Sequence, residues 1–238
     1  VRLSGEIDLL SATSSAFAIL AALIHRQRTG EGQFIDLSST EATSVFMGEI
    51  LTDYCMNGRV QTRHGNRHPF MAPHNCYRCK GEDKWVSIAV ATDEEWRAFC
   101  RIAGHPEWAT DERFSDGLSR WKHQGELDKL IESWTIHRTH TELTEILQSV
   151  GVAAAPSCNS EDLWNDPHLK AREFWAEMEH PLLGRKTVIA PVWKLSETPL
   201  KVRGPAPLFG EHNDYVFGKL LGLSRAEIEG LKREKVIY

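Results

Sequence analysis

From Asp8 to Ile24 nearly every residue is apolar or small, and a basic stretch closes the segment at Arg26 and Arg28. Leu9, Leu10, Phe17, Leu20 and Ile24 recur at helical spacing and form a wide apolar face. Ala12, Ser14, Ser15, Ala16, Ala18, Ala21 and Ala22 are small enough to let another backbone approach closely. Thr29-Gly30 supplies the stop. A helix of this kind has to be packed inside a layered structure, since water is a poor solvent for most of its circumference. The longest uninterrupted apolar run, Ala16 to Ile24, is nine residues and falls short of the roughly 20 that a membrane helix needs. The expectation is therefore a buried helix and no membrane partner.

The rest of the chain is organised differently. All eight tryptophans lie between Trp85 and Trp193. Gln33 to Leu37 alternates like a short strand, and Ser38 or Ser39 is placed to cap a second helix ending near Asn57-Gly58. Arg59 to Cys79 fits neither period and reads as a long loop, a feature more often functional than incidental. Lys84 to Val90 reads as a strand. Thr92 or Asp93 caps a helix to about Ala103, and amphipathic helices follow at 120–136 and 141–150. Val152 to Pro156 is a short buried strand, and Ser160 caps a brief helix before the Asn165-Asp166-Pro167 turn. After about residue 178 a proline-punctuated, extended stretch leads to closing helices near 213–221 and 224–232. With 238 residues the chain is one large domain or two small ones. A net charge of −5 argues against a nucleic-acid partner, which demands a basic face. Five cysteines, an odd number, with no secretory leader at Val1-Arg2-Leu3-Ser4-Gly5, point to reduced thiols and a cytoplasmic location.

Two places carry candidate chemistry. Asp8 stands at the mouth of the apolar helix, where free N–H groups and the macrodipole favour an anion by about 0.3–1 kcal/mol. A carboxylate held ionised there is a nucleophile toward an activated carbonyl, or else a plain helix cap. The second place is the loop from Arg63 to Cys79. It holds His64, His68 and His74, Cys76 and Cys79, and, with Arg59, four basic side chains (Arg59, Arg63, Arg67, Arg78). That set suits an anionic ligand such as a carboxylate or phosphate, a purely structural loop, or a tetrahedral zinc site. Gly65 and Pro69 argue against the helix that a His pair four residues apart would need. No nucleotide-binding glycine loop, nucleophile elbow or zinc-protease motif occurs. Gly30-Glu31-Gly32 follows a helix and precedes the strand-like run, the reverse of the phosphate-binding order.

These residues resemble a known family. Ile19-Leu20-Ala21-Ala22-Leu23 followed by Arg28-Thr29-Gly30-Glu31-Gly32-Gln33 is similar to the signature of the class III CoA-transferases, the CaiB/BaiF group. That group includes formyl-CoA, carnitine-type and benzylsuccinate-type CoA-transferases and the α-methylacyl-CoA racemases. Gly65-Asn66-Arg67-His68-Pro69 with Ala72-Pro73-His74, Asp166-Pro167-His168 with Ala171-Arg172, and the run Pro205 to His212 agree in order along almost the whole chain.

The resemblance implies a mixed α/β fold. It corresponds to the C-terminal part of the family III structure, with a small α+β domain flanked by pieces of a larger Rossmann-like domain. Residues 1–72 would be the tail of the large CoA-binding domain with the nucleophile helix, 73–178 the small domain, and 179–238 a return strap and closing helices. The family's N-terminal half would precede Val1, making this chain a fragment. The resemblance makes Asp8, eleven residues before Ile19, the nucleophile of an acyl-CoA:carboxylate CoA-transfer. His68, Pro69, Phe70, Met71, Ala72 and His74 would shape the acyl site. The family's glycine-rich flap falls at about Phe70 to Pro73, which here lacks a glycine run, favouring an acyl group bulkier than oxalyl or formyl.

The implied substrates are acyl-CoA and a carboxylic acid acceptor, with no metal, no tightly bound cofactor, and an interlocked homodimer. The racemase branch would need a histidine upstream of Val1 and a glutamate near Thr92, where Glu94 and Glu95 stand close by. A further alternative is a non-catalytic dimerising module whose partner supplies the CoA-binding half.

Overall fold

The computed structural model describes residues 6–237. Val1-Arg2-Leu3-Ser4-Gly5, at the start of the 1–72 stretch, lies outside the described residues, as does Tyr238. The chain divides into two compact units, Val1–Pro69 and Phe70–Tyr238.

The first unit is helical. Helix α1 (Glu6–Thr29) runs through the whole apolar segment. Its hydroxyls turn inward: Ser11 Oγ donates to the Ile7 carbonyl at 2.7 Å, Thr13 Oγ1 to Leu9 at 2.9 Å and Thr29 Oγ1 to His25 at 2.9 Å. This back-bonding hides polar atoms against the helix itself. Although the uninterrupted apolar run is short, the formed helix is long and apolar enough, by length and composition, to cross a membrane. Ser11, Thr13, Ser14 and Ser15 end the apolar run without adding a charge, so run length alone understates the helix.

Ser38 Oγ accepts from the Glu41 amide and caps α2 (Ser39–Ser44). A 3₁₀ turn (Val45–Met47) and α3 (Gly48–Asn57) follow, and Gly58 takes the left-handed C-cap conformation. The strand expected at Gln33 to Leu37 does not form. The described residues of this unit contain no other strand for it to pair with, and Phe34 is exposed. Among the described residues of this unit no hydrophobic side chain is buried; Leu9, Phe17, Leu20, Ile24, Val45 and Phe46 all face solvent.

The second unit holds the core. Strands β1 (His74–Arg78), β2 (Trp85–Ala89) and β3 (Ala153–Pro156) form an antiparallel sheet in the order β1-β2-β3. Val86 and Ile88 of the central strand are buried while Ser87 between them is exposed, the alternation expected of a half-covered sheet. Helix α4 (Asp93–Ala103) begins with a capping box of Thr92 and Glu95 and ends at a left-handed Gly104. The single helix expected at 120–136 is two, α5 (Gly117–Lys122) and α6 (Gln124–Thr135), parted at His123, which leaves helical dihedrals. Helix α7 (His140–Ser149) packs on β3 and β2, and α6 on β1. Trp96, Phe99, Phe114, Leu127, Ile131, Leu143 and Leu147 fill the space between. Trp96 stacks on Phe99 at 5.3 Å, and Trp134 meets Phe99 edge-on.

Short helices α8 (Ser160–Asn165) and α9 (Pro167–Ala171) lead to a hairpin that the sequence reading did not resolve, β4 (Trp175–His180) and β5 (Gly184–Ile189). Its Pro181-Leu182-Leu183 turn is closed by His180 Nδ1, which accepts from the Leu182 and Leu183 amides at 3.2 Å each. A π-helical turn (Asp214–Leu220) and α10 (Arg225–Arg233), capped by Ser224 and Glu227, close the chain.

One ionic knot ties three of these elements together. Lys84 Nζ reaches both Asp162 oxygens at 2.7 and 2.8 Å, His140 Nε2 lies 3.3 Å from the same carboxylate, and the Asn159 amide donates to it at 3.0 Å. The lysine hydrogen bond, followed by that amide, lowers the Asp162 pKa to about 2.

A lowered folded-state pKa gives stability that is complete above the unfolded value of about 3.9 and is lost as pH falls from there to about 2. Asp162→Asn is accordingly expected to lower the urea midpoint near neutral pH and to flatten its fall across that acid window. The two units also predict opposite responses to truncation. Ile131→Ala, in the filled core, is expected to cost about 2–5 kcal/mol. Leu20→Ala, at a side chain 60% exposed, is expected to cost less than about 0.5 kcal/mol in this chain. Urea unfolding of each variant checks both.

Candidate active site

Asp8 lies in the first turn of α1 and is exposed to solvent. The first turn of a helix has amide N–H groups without intrahelical acceptors, so the carboxylate sits at the positive end of a long dipole. The helix itself forms because its residues are alanine-rich and contain no proline or glycine until Gly30.

The candidate loop is fixed at both ends. At its start Gly58 donates its amide to the Tyr54 carbonyl at 2.8 Å with φ +64°. Asp53 accepts from Asn57 Nδ2 at 2.7 Å and pairs with Arg59 at 3.5 Å. In the middle, the Arg67 amide returns to the His64 carbonyl around Gly65, also left-handed at φ +64°. A side chain at Gly65 would be strained there, which is the physical reason for a glycine at the head of the Gly-Asn-Arg-His-Pro motif.

At the loop's end exposure drops abruptly: Phe70 is 72% exposed, Met71 is half-buried and Ala72 is 2% exposed. Pro73 is buried, and its carbonyl accepts from the Val90 amide at 2.9 Å. The Ala72–Pro73 peptide bond is cis. His74 then opens β1 opposite Ala89. Of the predicted site residues, Asp8, His68 and Pro69 belong to the first unit, and Phe70, Met71, Ala72 and His74 to the second.

Three of the loop's side chains have partners in the second unit. Arg78 lies over the Trp85 ring at 5.3 Å. Cys76 Sγ meets Ser87 Oγ at 3.1 Å, while Cys79 is buried with Sγ toward the Tyr77 carbonyl. Burial pushes the Cys79 thiol up to about 11, so it is neither a ready nucleophile nor a ready metal ligand. Among the described residues no three His, Cys, Asp or Glu side chains gather as a metal site.

The acidic group near Thr92 has local partners. Thr92 Oγ1 accepts from the Glu95 amide at 3.2 Å, and Glu95 Oε2 accepts from the Ala91 and Thr92 amides at 2.7 and 3.3 Å. Glu94 pairs with Arg97 at 2.8 Å, and Asp93 with Arg120 at 2.7 Å. Glu95 therefore acts as the second half of a capping box.

Two of the motif stretches prove to be helix and turn starters. Asp166 caps α9 by accepting from the Leu169 amide at 2.7 Å, with Pro167 at the helix's first position. Glu211 Oε2 accepts from the Leu208 amide at 2.6 Å and closes the turn before His212.

Sequence reasoning missed Arg120. It sits in α5 between an exposed Leu118 and Trp121, and only the fold brings it to Ala72, 48 residues away.

The model of CoA-transferase family III matches residues 4–213. A succinyl-CoA–D-citramalate CoA-transferase of Chloroflexus aurantiacus is 34% identical over 230 residues, which are 97% of this chain and 57% of that protein. A succinyl-CoA:mesaconate CoA-transferase of Haloarcula marismortui is 34% identical over 210 residues, 87% of this chain and 52% of the relative. Among solved structures, a CaiB/BaiF family protein from Brucella suis superposes with a TM-score of 0.77 at 28% identity, covering 90% of this chain and 55% of that one. The chain thus spans little more than half the length of the relatives it matches.

If Thr92 and Glu95 serve the helix end, their variants behave as cap variants. Thr92→Ala is expected to lower the unfolding free energy by about 1 kcal/mol, and Glu95→Gln, which preserves an acceptor, by only a few tenths. Equilibrium urea titrations check this, and a Glu95→Gln loss as large as the Thr92→Ala loss would contradict the assignment.

Proposed function

The chain belongs to CoA-transferase family III, and on that premise we propose that the protein moves CoA from an acyl-CoA thioester to a free carboxylic acid, with Asp8 as nucleophile. The observation that carries this reading is the family match across the helix bearing Asp8. It agrees with the position of that carboxylate in the first turn of α1, eleven residues before Ile19.

The steps balance without a proton donor. The Asp8 carboxylate attacks the thioester carbonyl, the C–S bond breaks, and CoA leaves as thiolate with Asp8 held in a mixed anhydride. The thiolate then attacks the aspartyl carbonyl, freeing the first acid as its carboxylate and leaving an aspartyl-CoA thioester. The acceptor carboxylate displaces the thiolate to form a second anhydride. Thiolate attack on its acyl carbonyl releases the new acyl-CoA and regenerates Asp8. Each step exchanges one oxygen or sulfur nucleophile for another, so the protein's task is to hold the anhydride away from water and to orient the attacking group.

The names of the two relatives support a short dicarboxylic acyl group such as succinyl. His68, Pro69, Phe70, Met71, Ala72 and His74 would line the acyl site, and the basic side chains of the same loop suit the second carboxylate of such a substrate. CoA enters as substrate, with no tightly bound cofactor. The engagement of Glu95 in a helix cap and the transferase names favour transfer over the racemase branch. The reading places the protein in the cytoplasm as an interlocked homodimer, with 73–178 as the small domain and 179–238 as the strap.

A second reading has its own observation. The apolar side chains of α1 to α3 are uncovered, and the chain is about half as long as its relatives. On this reading the 238 residues are a non-catalytic module that acts only with a partner supplying the CoA-binding half.

Incubation with succinyl-CoA and an acceptor dicarboxylate, followed by hydroxylamine, is expected to convert Asp8 to its hydroxamate, located by peptide mass spectrometry. Asp8→Ala is expected to lower transfer by at least about 10³-fold. An Asp8→Ala protein that still moved CoA would sink the nucleophile assignment. Transfer by the 238-residue chain alone would remove the second reading.

A further inference from the structure

We propose that Arg120 is the positioning residue of the Phe70–His74 segment, holding Ala72 in place so that the exposed loop before it pivots from a fixed point. The proposal rests on the reading of this segment as part of the acyl site.

The Arg120 side chain is 1% exposed. Its guanidinium makes three bonds to three separate pieces of chain. Nε donates to the Ala72 carbonyl at 2.8 Å, Nη1 to the Phe114 carbonyl at 3.2 Å, and Nη2 to Asp93 Oδ1 at 2.7 Å. The guanidinium carbon lies 5.5 Å from the Trp96 ring centre. Phe114 belongs to the connection between α4 and α5, and Asp93 is the first residue of α4.

Burying a guanidinium is costly unless its donors are satisfied. Where stability alone is at stake, an apolar side chain of similar volume often serves as well or better. What Arg120 supplies that an apolar residue lacks is a donor for the Ala72 carbonyl. That carbonyl and the next one, of Pro73, are both occupied, the second by the Val90 amide at 2.9 Å. Two successive carbonyls are thus tied to the core, one by a side chain from α5 and one by the end of the central strand's segment. Phe70, two residues earlier, is 72% exposed. The boundary between rigid core and candidate flap is therefore made at Ala72, and the long-range bond there comes from Arg120.

Geometry selects arginine over lysine. The three acceptors are reached from three different nitrogens of a planar group, whereas an ammonium is a point charge on a flexible stem. Asp93, by contrast, is partly exposed and orients the guanidinium from the solvent side, so its loss leaves two of the three bonds in place.

The test uses hydrogen exchange followed by mass spectrometry, together with steady-state kinetics, on wild type, Arg120→Lys, Arg120→Met and Asp93→Asn. In both Arg120 variants exchange at the Val90 amide, which donates to the Pro73 carbonyl, is expected to quicken at least tenfold, while amides of β2 keep their wild-type protection. In the transfer assay kcat is expected to fall about 10–100-fold, the scale of lost orientation, with KM for the thioester within about twofold. Asp93→Asn is expected to show the same pattern at a few-fold size.

Unchanged exchange at the Val90 amide in the Arg120 variants would overturn the proposal. So would a rise in KM with kcat intact. If the Arg120 variants lose β2 protection as well, Asp93→Asn decides: few-fold faster exchange confined to the Val90 amide supports the proposal, and none overturns it. A wild type without CoA-transfer activity would defeat the functional reading, and the exchange measurement would still decide the role of Arg120.

Discussion

Strand β2 is paired along both edges, and the second unit is built outward from it. Val86 and Ile88 are buried in the core, and the sheet's one apolar face is covered by α6 and α7, with α4 packed on α7. Hydrogen bonds then latch those helices in register. Tyr77 donates its hydroxyl to Asp128 of α6, Thr135 Oγ1 reaches the Arg78 carbonyl, and Gln148 Nε2 reaches the Ala154 carbonyl. The candidate loop enters this assembly at Ala72 and Pro73, which are as buried as the core itself. A flexible loop can present substrate-facing groups with little positional error only if its end is anchored to something that does not move. Here the anchor is the sheet, reached through the Val90 amide, and α5, reached through Arg120.

The first unit obeys a different constraint. Ser38 caps α2, Gly58 closes α3 and hydroxyls back-bond along α1, yet among the described residues its apolar side chains have no core to enter. Exposed apolar surface is unfavourable by roughly 25 cal/mol per Å², and an uncovered face of this extent on a globular protein marks a surface made to be covered. Length and apolar composition alone also fit a membrane span for α1. The match to family III runs through this helix, and the small residues of α1 leave room for another backbone to approach.

Much of the second unit was legible in the sequence because its signals are local. Thr92 and Glu95 announce α4, period-two alternation announces β2, and the stop at Gly104 follows from its left-handed conformation. Features that depend on a partner were not legible. Gln33 to Leu37 alternates like a strand but has no strand beside it among the described residues of its unit. The β4–β5 hairpin was hidden because its half-buried face is short, made of Ala176, Met178 and Val188, and is interrupted by Lys186 opposite Met178. The break at His123 interrupts a helical period without any proline or glycine at the break. At the candidate site, the loop motif and Asp8 could be picked out by residue type and order, whereas the contact between Arg120 and Ala72 is created by the fold across 48 residues and leaves no local trace.

Asp8 and the apolar faces of α1 express a single requirement. In water, a carboxylate at a helix start gains only about 0.3–1 kcal/mol from the dipole, since solvent screens the field. With water excluded, the same partial charges act at a lower effective dielectric and hold the anion more strongly, and an acyl-aspartyl anhydride is protected from hydrolysis. Asp8 is exposed in this chain, as are the side chains of Leu9, Phe17 and Leu20 on the same helix. Whatever covers those apolar groups also changes the medium around the carboxylate. On the proposed function, one cover over α1 would both bury Leu9, Phe17 and Leu20 and exclude water from the Asp8 carboxylate.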